Sequence, residues 1–480
     1  MSPHGRHVVL QYLSDAEKDS DSYDLEISKL KAAILLLEAR QTGLKKAMEK
    51  YRSLLAPIRR LPSEVLLEIF AYFCEESDII EDKIPEAQTL SSVCRHWREI
   101  VTSTPGLWSS FCIDFTYHAE SVSASYTKIT SLFMTRSKTS PLHISMSFPS
   151  DACMVFNMDV TLKLLVNHSH RWESLQISGV EYLSHYHRGA FDLPNLRRLE
   201  LNTDPENGDD EIEIQLPSFS NCPALTSVNL HFAFPEAVDQ IVLPWSQVRD
   251  LTVLNCFDRA TFSALGRCGN VEQLTLINMI DDIIEYDERA IAALPNDFSP
   301  PKLTRLEVRS GRCRMPRERR SCIPIFLERF VPHSTITSLG LHSVLLIDTQ
   351  VLSLLHQMSA LRILSVSEYE GEACNQIVTR DFSRYLFVAQ DTVDLYHPSF
   401  LPVLSELKLS IHVSGLDEQA LADALMSRCL SVSRCLKLVG IALISKGKPL
   451  SGPLSALQYF KHVGLHFTLS HVEARQIMRS

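Results

Sequence analysis

The sequence predicts an α-helical N-terminal part followed by an α/β repeat solenoid. Three observations carry this. An apolar seam at alternating steps of three and four runs through residues 25–55, two amphipathic helices follow within 56–113, and from 171 onward one apolar pattern recurs nine times. At 480 residues the chain exceeds one ordinary core, so several units are expected. With 45% hydrophobic and 22% charged residues it has globular composition. A formal charge of −10 argues against nucleic acid as a partner, because phosphate contact needs a basic surface.

Residues 1–24 are polar and turn acidic, and read as a flexible tail. The seam comes next, as Ile27, Leu30, Ile34, Leu37, Gln41, Leu44, Met48, Tyr51 and Leu55. This is a coiled-coil spacing over four heptads, on a helix about 43 Å long. Gln41 is the one polar seam residue, of the kind that fixes register or partner number. The seam either pairs two copies through residues 27–55 or folds back on its own chain.

The segment 56–113 opens with Leu61-Pro62-Ser63-Glu64-Val65-Leu66-Leu67-Glu68-Ile69-Phe70. Pro62 suits a first helical turn, and Val65, Leu66, Ile69, Phe70 and Phe73 form a wide apolar face. A second helix carries Val93-Cys94-Arg95-His96-Trp97-Arg98, and Thr104-Pro105 stops it before Leu107-Trp108. So short a hairpin cannot bury all of this apolar surface by itself. It needs a third element or a partner.

These three pieces in this order resemble an F-box, in the form common among F-box proteins of mushroom-forming fungi. The resemblance implies a Skp-type adaptor bound to the hairpin, linking it to a cullin–RING ubiquitin ligase. Leu61, Pro62, Leu66, Ile69, Val93, Trp97 and Trp108 are the candidate adaptor contacts, against the alternative that most of them are hairpin core. One departure is the acidic stretch Glu75 to Glu86 between the helices, which reads as a solvated insertion.

Residues 114–170 read as a linking α/β segment. It has a helical stretch near Tyr126–Met134, an alternating strand pattern at Pro141–Phe148 and a helix over Met154–Asn167. The region 171–480 then repeats apolar-x-x-apolar-x-apolar, from Trp172/Leu175/Ile177 through Leu196/Leu199/Leu201 to Leu404/Leu407/Leu409. Prolines 194, 223, 244, 301 and 402 precede several copies, a position that costs no ladder hydrogen bond. Helix-like stretches such as Asp258–Gly266 and Thr349–Met358 lie between copies. Most copies fall near the 20–29-residue period of leucine-rich repeats. The region resembles the irregular leucine-rich repeats that often follow an F-box, and is read as a leucine-rich-repeat-like substrate-binding domain. The asparagine or cysteine expected after the strand appears only as Cys256, which leaves another α/β repeat or a mixed sheet open.

Side chains alternate along a strand, so the residue between two strand apolars faces away from the core. Gln176, Glu200, Asn229, Thr252, Thr275, Glu307, Gly340, Ser365 and Lys408 are those residues. They line either a face where a target protein docks or an ordinary solvated sheet. Arg309, Arg312, Arg314, Arg317, Arg319 and Arg320 crowd a short stretch. Their forks suit a phosphorylated or acidic target, a nuclear-import signal is a competing use, and a plain charged loop is the simplest reading.

The sequence offers no catalytic site and no cofactor. His168/His170 and His185/His187 lack a third ligand at metal spacing, and nucleophile elbow, phosphate loop and dinucleotide fingerprint are all missing. Twelve cysteines without a C-x-x-C pair point to reduced thiols in a cytosolic or nuclear compartment. No secretion signal or membrane span is expected. The chain reads as a non-catalytic recognition subunit of an SCF-type (Skp–cullin–F-box) ligase, with a non-degradative interaction scaffold as the alternative. The sequence does not name the target.

Overall fold

The computed structural model describes residues 3–75, 77–80, 83–115, 123–148, 159–180, 190–203, 218–231, 241–254, 265–278, 302–310, 327, 335–344, 346–368, 377–388, 400–430, 436–445 and 452–473. The chain divides into two compact units, Met1–Tyr72 and Phe73–Ser480.

The first unit holds α1 (Pro3–Leu54), a 3-10 turn (Pro57–Arg60) and all but the last residue of α2 (Ser63–Phe73). Helix α1 corrects the expected tail over 1–24, since the helix starts at Pro3. No proline interrupts it before Pro57, and its Ser and Asp residues are weak helix formers rather than breakers. Lys18 and Asp15 pair across one turn at 3.4 Å. Pro57 ends it by forcing Ala56 into extended backbone, with φ −59 and ψ 132. Among the described residues no helix is long and apolar enough to cross a membrane.

Among the described residues of the second unit, fourteen strands form one parallel sheet in chain order. They are β1 (Ser77–Ile79), β2 (Ser110–Asp114), β3 (Leu142–Ser147), β4 (Trp172–Ser178), β6 (Arg198–Asn202), β8 (Ser227–His231) and β9 (Asp250–Leu254), continuing as β10 (Gln273–Asn278), β11 (Arg305–Ser310), β12 (Ser338–His342), β13 (Ile363–Ser367), β14 (Glu406–His412), β15 (Leu438–Ser445) and β16 (His466–Glu473). A separate pair is formed by β5 (Ala190–Asp192) and β7 (Ser218–Asn221). Each of the nine sequence repeats supplies a strand of the large sheet. The sheet also reaches beyond them at both ends: β1 lies in the stretch expected as a solvated insertion, β3 in the expected linking segment, and β15 and β16 follow the last copy. Ser77 and Ile79 are buried there, which is why that insertion is held as a strand rather than left in water.

From β4 to β16 the register is constant. Leu175, Leu199, Val228, Leu251, Leu274, Leu306, Leu339, Leu364, Leu407, Val439 and Phe467 stand opposite one another in one buried row. Just before most strands, two successive N–H groups donate to a single carbonyl of the preceding copy. Thr226 and Ser227 both donate to Arg197, at 3.0 Å each, and Arg362 and Ile363 to Thr337, at 2.8 and 2.9 Å. The first apolar residue of each copy, such as Leu196, Leu225 or Leu361, is buried beneath this turn.

Helices α3 (Glu86–Val93), α4 (Arg95–Ser103), α5 (Ser123–Ser137), α6 (Asp159–Val166), α7 (Asp348–His356), α8 (Arg380–Leu386) and α9 (Glu418–Leu430) fill the connections. Of the helix expected over Asp258–Gly266, residues 258–264 lie outside the described residues. Two buried charges tie the C-terminal connections to the sheet. Glu368 accepts from the N–H groups of Ile377 (2.9 Å), Val378 (3.2 Å) and His412 (2.8 Å). The Arg428 guanidinium on α9 donates to the carbonyls of Leu386 (2.6 Å) and Leu401 (2.9 Å). Burial pushes the Cys222 and Cys268 thiols up to about 12, so both stay protonated at neutral pH.

Glu368→Ala strands three buried donors at once. It is expected to destabilise the second unit by about 2–4 kcal/mol in chemical denaturation, and an unchanged midpoint would contradict the role given to this carboxylate.

Candidate functional site

The first candidate residues lie on the helices between Leu61 and Trp108, with α2 in the first unit and α3 and α4 in the second. On α2, Leu66 (1% exposed) and Phe70 lie on one line at i and i+4 and are buried. The adjacent line of Val65, Ile69 (44%) and Tyr72 (83%) is exposed. The wide apolar face legible in the sequence therefore resolves into two stripes, one interior and one facing solvent. Leu61 is half-buried and Pro62 is exposed ahead of them. The Pro62 carbonyl accepts from the Leu66 N–H at 3.1 Å, so the proline caps the turn that aims the stripe.

In the second unit α3 and α4 meet at a sharp break on Cys94, with φ −157 and ψ 170. The Cys94 sulfur accepts from the Trp97 N–H at 3.5 Å and caps α4. The Arg98 Nε donates to the Ser91 carbonyl at 2.9 Å and fixes the angle between the two helices. Ala87, Leu90 and Val101 are buried there, while Val93 is exposed and Trp97 half-buried. The Trp108 indole N–H donates to the Val101 carbonyl at 2.8 Å, and its ring meets Phe133 edge-on at 5.2 Å. Ahead of α3, Lys83 pairs with Asp78 at 2.6 Å and Glu86 at 2.8 Å, and these two hydrogen bonds raise its pKa. Burial, with Glu86 adding, pushes the Cys74 thiol up to about 12.

Of the seven candidate adaptor contacts, Leu66 and Trp108 are interior, with 1% and 2% of their surface exposed. The reason is physical: Leu66 shares its helix line with Phe70, and the one polar atom of Trp108 is satisfied inside the fold. Leu61, Pro62, Ile69, Val93 and Trp97 keep accessible surface. Val65 and Tyr72 belong beside Ile69 and were not among the seven; their i, i+4, i+7 spacing was the available signal.

The second candidate surface is the row facing away from the aliphatic one. Cys112, Ser145, Gln176, Glu200, Asn229, Thr252, Thr275, Glu307, Gly340, Ser365 and Lys408 stand opposite one another in continuous register. The nine expected outward residues therefore share one line. Glu200 accepts from Gln176 at 3.0 Å and from Asn229 at 3.4 Å. Glu307 takes Arg309 at 2.6 Å and His342 at 3.3 Å, and Lys408 pairs with Glu406 at 2.6 Å. Burial lowers the His342 pKa, with Glu307 opposing the shift and Arg309 adding to it. A Cβ on Gly340 would stand 3.0 Å from the Glu307 Cγ and 3.1 Å from the His342 ring, so the bare glycine admits that contact. Charged members of the row are already paired within the sheet. Among the described residues the row is a polar strip, with no convergence on a point where a reacting atom could sit. Arg312, Arg314 and Arg317 lie outside the described residues.

His168 and His170 have ring centroids 6.4 Å apart, and among the described residues no group of three His, Cys, Asp or Glu could hold a metal ion. No curated protein matches the chain. Residues 58–114 match a protein-family model described as F-box-like, which takes in α2, α3, α4, the Leu107–Trp108 turn and β2. The chain carries an F-box-like domain at its helical end.

Proposed function

We infer that the chain is the substrate-recognition subunit of an SCF-type ubiquitin ligase. In this reading the F-box-like domain binds a Skp-type adaptor, and through it a cullin–RING ligase. The parallel sheet is a leucine-rich-repeat-like solenoid whose polar row holds a target protein. The observation that carries the reading is the match over residues 58–114, together with the exposed stripe of Val65, Ile69 and Tyr72 on α2. Three bare apolar side chains beside a finished interior stripe are what a docking helix presents to a partner groove. F-box proteins are in general non-catalytic adaptor subunits. The contribution here is proximity, which raises the effective concentration of target lysines at the transfer site. A second reading, a non-degradative scaffold, is favoured by the length of α1, which an adaptor subunit does not require. Reconstituted ligase separates the two: a co-purified protein gains ubiquitin only in the first.

Two substitutions on one helix separate packing from docking. Leu66→Ala is expected to cost about 2–4 kcal/mol of stability, the usual loss for a buried leucine. Ile69→Ala should leave stability within about 1 kcal/mol and weaken adaptor binding roughly tenfold. Equal effects on both measurements would contradict this division of α2.

The triple replacement Leu61→Ala, Pro62→Ala and Trp97→Ala should reduce adaptor capture at least about a hundredfold while circular dichroism of the sheet is retained. Capture at the native level would overturn the assignment of the helical end to the adaptor.

A further inference from the structure

Helix α1 carries an uncovered apolar seam longer than the four heptads read from the sequence. Because the helix begins at Pro3, the spacing of Ile27 and Leu30 runs back in unbroken register through Tyr23, Ser20, Ala16, Leu13 and Val9. All of these positions are exposed. A helix of 52 residues is about 78 Å long. At that length an apolar seam in water is a standing cost that a second helix removes.

The charges identify which helix. Residues 3–28 hold six acidic and two basic side chains, net −4, while 29–54 hold two acidic and seven basic, net +5. Two copies running in the same direction would set like halves together along the whole length. Reversed, each acidic half lies along a basic half.

We propose that α1 pairs with α1 of a second copy as an antiparallel coiled coil. Overlapping the reversed helices end to end, Pro3 against Leu54, also aligns their seams. Ile27 then faces Leu30 of the second copy, Ile34 faces Tyr23, Leu44 faces Leu13 and Met48 faces Val9, so each layer joins the two kinds of seam position. Gln41 faces Ala16, whose small side chain leaves the amide room to reach water. Isoleucine at one seam position with leucine at the other (Ile27 with Leu30, Ile34 with Leu37) also suits a parallel pair. The separated charges decide against that arrangement. The proposal is independent of the adaptor reading, since neither α2 nor the hairpin enters it.

The test uses the full-length chain. Sedimentation equilibrium at micromolar concentration is expected to give twice the 54.3 kDa chain mass. Carbodiimide cross-linking with mass spectrometry should join Asp15 or Glu17 to Lys45 or Lys46. Along one helix these stand about 42 Å apart, so only a reversed second copy brings them within zero-length reach. Ile27→Glu with Ile34→Glu should give monomers of native sheet content. Lys45→Glu with Lys46→Glu should raise the dimer Kd roughly tenfold, whereas in a parallel pair it would relieve repulsion and lower Kd. A monomeric native chain, a double-glutamate variant that stays dimeric, cross-links confined to like halves, or a lowered Kd would each overturn the proposal.

Discussion

The whole second unit depends on one constraint: no strand of five or so residues can bury its apolar side without a neighbour in the same register. The aliphatic row from Leu175 to Phe467 is the solution, and the paired N–H donations before most of its strands keep it from slipping. A slip by one residue would carry every leucine of that strand to the polar side and every polar residue inward. The row of Gln176, Glu200 and Asn229 is therefore placed by the leucines beside it. Its straightness is a by-product of core packing, available to function without further design.

Within the second unit the same constraint ties α3 and α4 to the sheet. Helices α3 and α4 lie in the chain between β1 and β2, which pair in parallel with Ser77 opposite Phe111. The second half of the F-box-like domain is thus the crossover that joins the first two strands. Trp108 closes it, hydrogen-bonded to α4 and packed on Phe133 of α5. The acidic stretch between the helices is accordingly structural: its Ser77–Ile79 starts the sheet, and its Lys83 pairs with Asp78 and Glu86.

Much of this was legible in the residues. Apolar spacing located every strand of the nine copies, because burial on one face writes its period directly into the sequence. The outward row followed from alternation alone. The three-residue β1 was not legible, since so short a strand among acidic residues leaves no period to read. Nor was the division of α2: Leu66 and Ile69 belong to one wide apolar face, and only the packed fold says which stripe is interior. The start of the N-terminal helix at Pro3 was not legible, because Ser and Asp lower helix propensity without ending a helix.

Parallel strands stand about 4.8 Å apart, so the polar row is also a scale of length. Between Glu200 on β6 and Lys408 on β14 lie seven strand intervals, about 34 Å. Residues near Glu200 and residues near Lys408 are thus set apart by the number of strands between them, a spacing fixed by the backbone ladder and untouched by any exchange of side chains.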